Sequence, residues 1–289
     1  MNEQPLVSVI VSCYNHAPYI EECLLSILHQ SYPNTELLVV DDGSVDGSIE
    51  IIKQLNTKYA FDLRAQANQG LVNTLNECIA RSHGSLVAPF GSDDVMLPDR
   101  IKIQVEYMQD KPEVGICAGN ILSIDPEGSL LDKRNKTKPF RRLSFEDVFL
   151  GNKPTAPAPT LLFRREAFEI VGGFDPGIAL EDLSIILKIT SAGYAVDVLE
   201  ENLAKYRKHP KNTYKNMRFM IENILKIYAQ YASHPAYPEA SARFINSMFL
   251  KSAKKDKRLA RELFRKLPMK YWDMKTIRAF GRYLFVRAG

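Results

Sequence analysis

The sequence has few of the residues that mark several large classes of protein. Only four of its 289 residues are cysteines, none of them is spaced as CxxC, and at least two fall inside apolar runs. We therefore expect reduced cysteines, as in a cytosolic protein, and not a disulfide scaffold. The first residues, MNEQPLVSVIVS, lack the pattern of a signal peptide, and no apolar run approaches the length that crosses a bilayer. We therefore expect a protein that is neither secreted nor membrane-spanning.

Motifs that would define an activity by themselves are absent as well. Neither the dinucleotide-binding pattern GxGxxG nor the P-loop pattern GxxxxGK[ST] occurs. No Ser/His/Asp or Cys/His arrangement suits nucleophilic catalysis. A nucleotidyltransferase would need a Gly-rich phosphate loop with Arg and Lys after the first strand, where this chain has SCYNHAPY. We therefore expect an activity that needs neither a phosphate-binding loop nor a covalent enzyme intermediate.

The chain does have an ordinary globular composition, with charge that is unevenly distributed. Hydrophobic residues make up 45% and charged residues 25% of the sequence, which argues against disordered and fibrous classes. The net charge is +4, but residues 251–289 alone hold 13 Lys and Arg against 3 Asp and Glu. The first 250 residues are therefore net negative, and the basic character belongs to the C-terminal segment.

Strand-like and helix-like patterns alternate through the first hundred residues. Apolar runs at 7–12, 36–42 and 85–90 predict buried strands, and apolar residues at helical spacing predict helices between them. This alternation predicts an α/β fold with a doubly wound sheet flanked by helices. After Val114 the pattern predicts a hairpin or a mixed-sheet continuation, and beyond about residue 215 it predicts helices alone. We expect a catalytic domain over 1–214 and a helical, basic extension over 215–289.

Polar residues follow three of the predicted strands, in SCYN (12–15), DDGS (41–44) and GSDD (91–94). Ligands of such sheets bind beyond the carboxyl ends of the strands, so we expect the three loops to converge on one site. The adjacent Asp93 and Asp94 suit a hard divalent cation, which proteins hold with one or two carboxylates and substrate phosphates. A solvated turn, or an N-cap before the predicted helix at Pro98, would explain the pair equally well.

The segment VVDDGSVDGS (39–48) offers carboxylates to a ligand other than phosphate. Asp41 and Asp42 would repel phosphate, but they can accept hydrogen bonds from a base N–H or from ribose hydroxyls. Asp46 and Ser48 suit the cap of the following helix, with Gly43 in the turn. The two interpretations are compatible, because the acid pair precedes the cap.

Two further segments carry groups that could take part in a reaction. Glu181 and Asp182 in LEDLS open a predicted helix, where the helix dipole alone would favour them, and either could be a general base. The basic segment YRKHPKNTY (206–214) contains His209 and suits a solvated loop or a charge near a leaving diphosphate. The other histidines, at positions 16, 29, 83 and 234, have no predicted role.

These stretches, in this order, resemble the family 2 glycosyltransferases of the GT-A fold, which are inverting enzymes that use nucleotide sugars. The similarity runs from about Val7 to about Tyr214, or roughly three quarters of the chain. It is carried by VSVIVSCYN, VVDDGSVDGS, NQGLVNTLN, GSDDVMLPDR, GGFD and LED. Each motif is weak alone, and their combination at these separations is specific.

The resemblance implies which residues hold a nucleotide with uracil or thymine as its base. These are Ser12, Tyr14, Asp41, Asp42, Asn68 and Gly70, the last two in a loop under the nucleotide.

The resemblance also implies the residues of the reaction. Asp94 would bind Mn²⁺ or Mg²⁺, and Asp93 would face the ribose or the donor sugar. Asp182 would be the general base, Glu181 would contact the donor or acceptor sugar, and His209 would lie near the diphosphate. The chain differs from many relatives in having glycine rather than an acid at position 91. It also lacks the QxxRW motif of processive synthases, so we expect transfer of a single sugar.

The C-terminal segment predicts a basic amphipathic helix. Met274, Ile277, Phe280 and Leu284 fall on one predicted face, and Lys275, Arg278 and Arg282 line an adjacent one. The pattern favours a membrane-surface anchor, while packing on the catalytic domain or a dimer contact would give the same pattern.

Together these features lead us to expect a cytoplasmic enzyme, peripheral on the inner face of the cytoplasmic membrane. Its donor is expected to be a UDP-sugar. Its acceptor would be a glycan or a lipid-linked intermediate of bacterial O-antigen, lipooligosaccharide or capsule synthesis. Nucleic acid is not an expected partner, because no motif for reading it is present. The alternative is a catalytically degenerate homologue that binds carbohydrate or acts as a scaffold.

Overall fold

The computed structural model describes residues 4–132, 137–210 and 212–285. Of residue 285 it describes the backbone alone. The chain divides into two compact units, of which the first comprises residues 1–144 and 156–212. The second comprises residues 145–155 and 213–289. The prediction divided the chain after residue 214, whereas the structure also assigns the short segment 145–155 to the second unit.

A mixed sheet forms the centre of the first unit. Its strands in the described residues are β1 (Val7–Cys13), β2 (Thr35–Asp41), β3 (Asp62–Ala65), β4 (Leu86–Gly91), β5 (Val95–Met96), β6 (Val114–Ile124), β7 (Arg141–Leu143), β8 (Leu162–Arg164) and β9 (Ala195–Arg207). Their order across the sheet is β3-β2-β1-β4-β8-β6-β9-β5, and β7 pairs with β9. The predicted α/β fold with a mixed sheet is confirmed.

Helices accompany this sheet and form the second unit. They are α1 (Ile20–Leu28), α2 (Ser48–Tyr59), α3 (Leu71–Arg81), α4 (Arg100–Met108), α5 (Phe145–Phe149), α6 (Arg165–Ile170), α7 (Glu181–Ser191), α8 (Met217–Ala229), α9 (Tyr237–Lys255), α10 (Lys257–Arg265) and α11 (Met274–Phe285). Of these, α5 and α8 to α11 belong to the second unit. The side chains of β1 are buried on both faces, as expected for a strand inside a parallel sheet. All four cysteines are buried and free.

The pairing of β1 with its two neighbours positions the functional loops. Both neighbours run parallel to β1, and the register places Cys13 opposite Asp41 and Ser12 opposite Gly91. The loops SCYN, DDGS and GSDD therefore leave the sheet at the same edge, as predicted. The antiparallel β8 lies between β4 and β6, which makes the sheet mixed. The sequence analysis missed β3 and β8, which have only four and three residues.

The second unit is a helical assembly around its own apolar core. Phe249, Leu263 and Ala279 lie at its centre. Phe280 also faces inward, with its ring 5.5 Å from that of Phe249 and 4.7 Å from that of Phe264. The sequence analysis placed Phe280 on the same face as Met274, Ile277 and Leu284, and this was wrong, because those three side chains are exposed. None of the helices in the described part of the chain is both long and apolar enough to cross a membrane.

Candidate active site

A small cavity at the carboxyl ends of β1 and β4 brings three predicted acids together. It has a volume of about 150 Å³, and its polar lining includes Ser12, Asp94, Glu181 and Asp182. The remaining walls are largely apolar, with Leu71, Leu75, Pro159, Phe163 and Phe174 among them. Asp94 follows β4, and the other two acids open α7. Carboxylates separated by about 90 residues in the sequence therefore line one small, weakly polar cavity.

Burial raises the pKa of both carboxyl groups at the start of α7. The pKa of Glu181 rises to about 8, because burial and the neighbouring charge of Asp182 both oppose its ionisation. Burial also raises the pKa of Asp182, whose Oδ1 accepts a hydrogen bond of 2.7 Å from the backbone N–H of Leu183. Burial therefore opposes ionisation of both carboxyl groups, and the charge of Asp182 opposes that of Glu181 further.

The loop GSDD turns the carboxylates of Asp93 and Asp94 toward different partners. Oδ1 of Asp94 accepts a hydrogen bond of 2.8 Å from the backbone N–H of Arg207, and burial raises the pKa of Asp94, with Asp93 adding to the effect. Oδ2 of Asp93 lies 2.9 Å from Nε2 of His209. The other oxygens of the two acids lie 3.0 and 3.1 Å from the point that a Cβ on Gly91 would occupy. The glycine therefore leaves a space that both carboxylates border.

His16 also belongs to this part of the site, although the sequence analysis assigned it no role. One potential ligand atom each from His16, Asp93 and His209 lie within 4.8 Å of one another. Nδ1 of His16 is 2.7 Å from Oγ of Ser92. Its position was available as a signal, because His16 directly follows the polar SCYN segment at the end of β1.

Arg207 holds the backbone of the GSDD loop in place. Its Nε donates to the carbonyl oxygen of Asp93 at 2.8 Å, and Nη1 donates to that of Pro126 at 2.9 Å. Nη2 lies 2.5 Å from a carboxylate oxygen of Glu22, and the whole side chain is only 2% exposed. The sequence analysis considered this basic segment as a source of charge for a leaving group, whereas the guanidinium of Arg207 is committed to these contacts. Lys211 of the same segment lies outside the described residues.

The two acids of the DDGS loop have different surroundings. Asp42 accepts hydrogen bonds from the backbone N–H groups of Gln69 and Gly70, at 2.9 and 3.0 Å, so it anchors the following loop. Asp41 accepts one hydrogen bond of 3.0 Å from the backbone N–H of Ser44 through Oδ1. Its Oδ2 is buried and has no hydrogen-bond partner among the described residues. Of the pair, Asp41 therefore has an acceptor to offer a ligand.

The remaining nucleotide-site candidates lie around the same loops. Ser12 is half-buried at the cavity, Tyr14 is exposed next to it in the chain, and Asn68 is exposed in the loop that Asp42 anchors. The side chain of Asn15 accepts a hydrogen bond of 2.9 Å from the backbone N–H of Val45. The SCYN and DDGS loops are thereby tied to each other.

Fold and site together define a class of protein. The chain belongs to a family of sugar-transferring enzymes, because the family described as "Glycosyl transferase family 2" matches residues 8–172. Among its relatives is a Nostoc protein described as an uncharacterized glycosyltransferase, alr2836, which is 32% identical over 72% of this chain and 66% of its own length. The amylovoran biosynthesis glycosyltransferase AmsE of Erwinia amylovora is 29% identical over 70% of this chain and 76% of its own length.

Solved structures share the fold of this chain. The structure of Staphylococcus aureus TarS in complex with UDP-GlcNAc matches with a TM-score of 0.69 at 17% identity, over 96% of this chain and 89% of that one. The mannosyltransferase PcManGT of Pyrobaculum calidifontis, in complex with GDP-Man and Mn²⁺, matches with a TM-score of 0.64 at 20% identity, over 98% and 88%. At these identities the comparison establishes the GT-A fold.

Proposed function

We propose that the protein is an inverting glycosyltransferase that moves one sugar from a nucleotide diphosphate sugar to a hydroxyl of a glycan or lipid-linked acceptor. The observation that carries the proposal is the small cavity that Asp94 and Asp182 both line. It supports a role for Asp94 at the diphosphate end of a donor and for Asp182 as a base. The role of AmsE in amylovoran biosynthesis supports a place in bacterial surface-polysaccharide synthesis.

The donor in this proposal is a UDP-sugar, as in the TarS complex. The free Oδ2 of Asp41 would accept a hydrogen bond from the base N–H or a ribose hydroxyl. Ser12, Tyr14, Asn68 and Gly70 would surround the nucleotide, and Asp42 would keep the loop beneath it in position.

The residues of the GSDD loop fit a divalent cation. Two carboxylate oxygens, one from Asp93 and one from Asp94, border the space beside Gly91, and carboxylates are the ligands that Mg²⁺ and Mn²⁺ take in sites completed by substrate phosphates. The sequence analysis assigned the cation to Asp94, and the geometry supports Asp93 as a second ligand. When bound, the ion would neutralise charge on the diphosphate. PcManGT was solved with Mn²⁺ in addition to its nucleotide sugar.

Asp182 would act as the general base. In this proposal Asp182 is the charged member of the α7 pair, since its charge is one cause of the raised pKa of Glu181. It would accept the proton of an acceptor hydroxyl as that oxygen attacks the anomeric carbon, while the bond from this carbon to the diphosphate breaks and the nucleoside diphosphate leaves. Glu181, protonated at neutral pH, would donate a hydrogen bond to a sugar oxygen. One such displacement inverts the anomeric centre and needs no enzyme nucleophile.

Thermal unfolding with a panel of UDP, dTDP, GDP, CMP and ADP, each with Mn²⁺, tests the donor class. A ligand at 100 times its Kd stabilises the folded state by about 2.7 kcal/mol. We expect UDP to raise the unfolding temperature of the wild type and to have much less effect on Asp94→Asn. If no nucleotide stabilised the protein, the enzymatic proposal would fail and the scaffold alternative would be favoured.

Asp182→Asn tests the base. General base catalysis contributes about 10²- to 10⁴-fold, so the variant should lose about that much of the rate of nucleoside diphosphate release from the donor. Its affinity for the nucleotide should be unchanged, which separates the role of the base from damage to the fold. Glu181→Gln serves as the control and should retain a measurable rate. Full activity in Asp182→Asn would exclude this residue as the base.

We also propose that the second unit binds an anionic membrane surface. On α11, Met274, Ile277 and Leu284 are exposed on one side of the helix, and Lys275, Arg278 and Arg282 line the adjacent side. The preceding segment adds the exposed side chains of Met269 and Trp272. An apolar strip bordered by positive charge is the arrangement that lies in the headgroup region of a bilayer.

Sedimentation with vesicles of anionic phosphatidylglycerol and of neutral phosphatidylcholine tests the membrane surface. Wild type should sediment with the anionic vesicles, less at high salt, and Ile277→Ser should sediment less. Ile170→Ser removes an exposed apolar side chain from the first unit and should behave as wild type. Equal sedimentation of Ile277→Ser and wild type, or a change only in oligomeric state, would overturn the proposal.

A further inference from the structure

We propose that His16 is a protein ligand of the cation site and that, with His209 and Asp93, it makes the site prefer a transition metal ion such as Mn²⁺ to Mg²⁺. The inference rests on the proposed function, since it concerns the ion that the donor diphosphate would share. It goes beyond the two carboxylates of the GSDD loop, which by themselves favour neither ion strongly.

The ligand atoms of the three side chains lie within 4.8 Å of one another, and one of their distances matches that between ligands of one ion. With bonds of about 2.1 Å to the metal, two ligand atoms at right angles lie about 3.0 Å apart. Nε2 of His209 and Oδ2 of Asp93 are 2.9 Å apart. The rings of His16 and His209 have centres 5.8 Å apart at an interplanar angle of 81°, and two imidazoles on one ion have ring centres about 5 to 6 Å apart. One ion can therefore contact all three with small adjustments.

Hydrogen bonds hold His16 in this position before any ion is present. Its backbone N–H donates to Oγ of Ser48 at 3.0 Å, and that hydroxyl donates to Asp46 at 2.5 Å. The backbone N–H of Ala17 also donates to Asp46, at 3.0 Å. Asp46 and Ser48 therefore fix the start of the His16 segment. The sequence analysis predicted them as the cap of α2, but the N-cap is Gly47, without a side-chain hydrogen bond.

A hydrogen bond from the ring of His16 supplies the orienting contact that metal-binding histidines usually have. Nδ1 lies 2.7 Å from Oγ of Ser92. In our proposal Nδ1–H donates to this hydroxyl and the other ring nitrogen faces the ion. Ser92 belongs to the same loop as Asp93, so the orienting residue and the carboxylate ligand move together.

The chemistry of the ligands sets the expected selectivity. Mg²⁺ prefers oxygen ligands and keeps several waters, whereas Mn²⁺, although it also binds carboxylates, accepts imidazole nitrogen more readily than Mg²⁺ does. The proposed site has two imidazoles, from His16 and His209, beside the carboxylates of the GSDD loop. Loss of His16 should therefore weaken Mn²⁺ binding and leave weak Mg²⁺ binding unchanged.

Electron paramagnetic resonance of Mn²⁺ with the full-length chain tests the inference independently of activity. MnCl₂ is titrated with and without UDP, and MgCl₂ is then added as competitor. His16→Phe keeps a ring at this position and removes both nitrogens. We expect it to raise the Kd for Mn²⁺ by about 10- to 100-fold and to remove one of two imidazole nitrogen couplings from the bound-ion spectrum. His29→Phe changes a histidine remote from the site and should match wild type.

The possible outcomes separate this inference from the proposed function. If His16→Phe binds Mn²⁺ as tightly as wild type, with both nitrogen couplings retained, His16 is not a ligand and the proposed function is unaffected. If wild type binds no Mn²⁺ with or without UDP, both proposals fail. If His16→Phe does not fold, Ser92→Ala is the second test, because it keeps His16 and removes the hydroxyl that orients its ring. It should weaken Mn²⁺ binding by a smaller factor than the loss of His16. Unchanged Mn²⁺ binding by a folded Ser92→Ala variant would then count against the inference.

Discussion

At the scale of single residues, the proposed mechanism depends on two adjacent acids, Glu181 and Asp182. Both open α7 in a partly apolar cavity, where burial opposes negative charge. Two ionised carboxylates so close together would repel each other, so the pair is expected to retain one proton near neutral pH. The pair can therefore supply a base and a hydrogen-bond donor from consecutive positions.

Glu181→Gln should stabilise the protein at alkaline pH. The pKa of Glu181 is about 8 in the folded state and 4.5 ordinarily, so the folded state retains a proton that the unfolded state releases. Stability is consequently lost as the pH rises from about 4.5 to 8. The amide does not ionise, so its unfolding temperature should exceed that of wild type by about 2 to 4 °C at pH 9, and by little at pH 4.

Scanning fluorimetry across this pH range measures the effect. Glu166→Gln, an exposed acid in the first turn of α6, is the matched control and should follow the wild-type curve. A wild-type pH dependence in Glu181→Gln would show that this carboxyl does not hold the extra proton.

At the scale of elements, the turn after β2 packs directly against the loop that Asp42 anchors. Gly43 has φ of +83°, and a Cβ there would lie 2.9 Å from the backbone nitrogen of Asn68. Gly47, four residues later, has φ of +93° and no atom within 4 Å of the corresponding point. Substitution of Gly47 would therefore cause backbone strain alone, whereas substitution of Gly43 would cause the same strain and a steric clash.

Gly47→Ala should cost about 1 to 2 kcal/mol, the strain of a left-handed alanine. Gly43→Ala should cost at least about 1 kcal/mol more, because the backbone of the Asn68 loop must also shift, and it should weaken nucleotide binding. Urea denaturation and nucleotide titration of both variants check this. Equal losses of stability would mean that the loop accommodates the methyl group freely.

The buried guanidinium of Arg207 holds the end of β9 to the GSDD loop. Arg207→Met would leave the carbonyl oxygens of Asp93 and Pro126 without their donor, at about 1 to 3 kcal/mol for each buried group. We expect a loss of about 2 to 4 kcal/mol together with weaker Mn²⁺ binding. Glu22→Gln disturbs only the half-exposed partner of Arg207 and should cost less than about 1 kcal/mol. Denaturant unfolding measures the loss of stability in each variant. A similar loss in Arg207→Met and Glu22→Gln would assign the stabilisation to the ion pair rather than to the contacts of Arg207 with the backbone.

At the scale of the whole molecule, two units have separate apolar cores, and every residue of the candidate site lies in the first. Phe249→Ala removes a fully buried ring from the second core, at about 3 to 5 kcal/mol. Hydrogen exchange should therefore accelerate in 217–285, while UDP binding by the first unit is retained. Loss of UDP binding in this variant would show that the site depends on the second core.

Much of the fold and part of the site could be predicted from local patterns. The alternation of apolar strands and helices predicted the parallel half of the sheet, and the ends of parallel strands meet at one edge whatever the loops between them. The convergence of Ser12, Asp41 and Asp94 followed from that rule. The short strands β3 and β8 were missed, because three or four residues give no clear periodicity.

The sequence by itself thus determined the class of fold, the helical nature of the C-terminal unit and the strand ends that carry the acids. These depend on local periodicity and on general rules of sheet topology. Tertiary structure alone decided that His16 and Arg207 join the GSDD loop, and that Phe280 faces inward. Each depends on packing between segments distant in sequence, such as those of Asp94 and Arg207, which are 113 positions apart. Local spacing contains no information about that packing, because it is set by which surfaces are buried when the elements assemble.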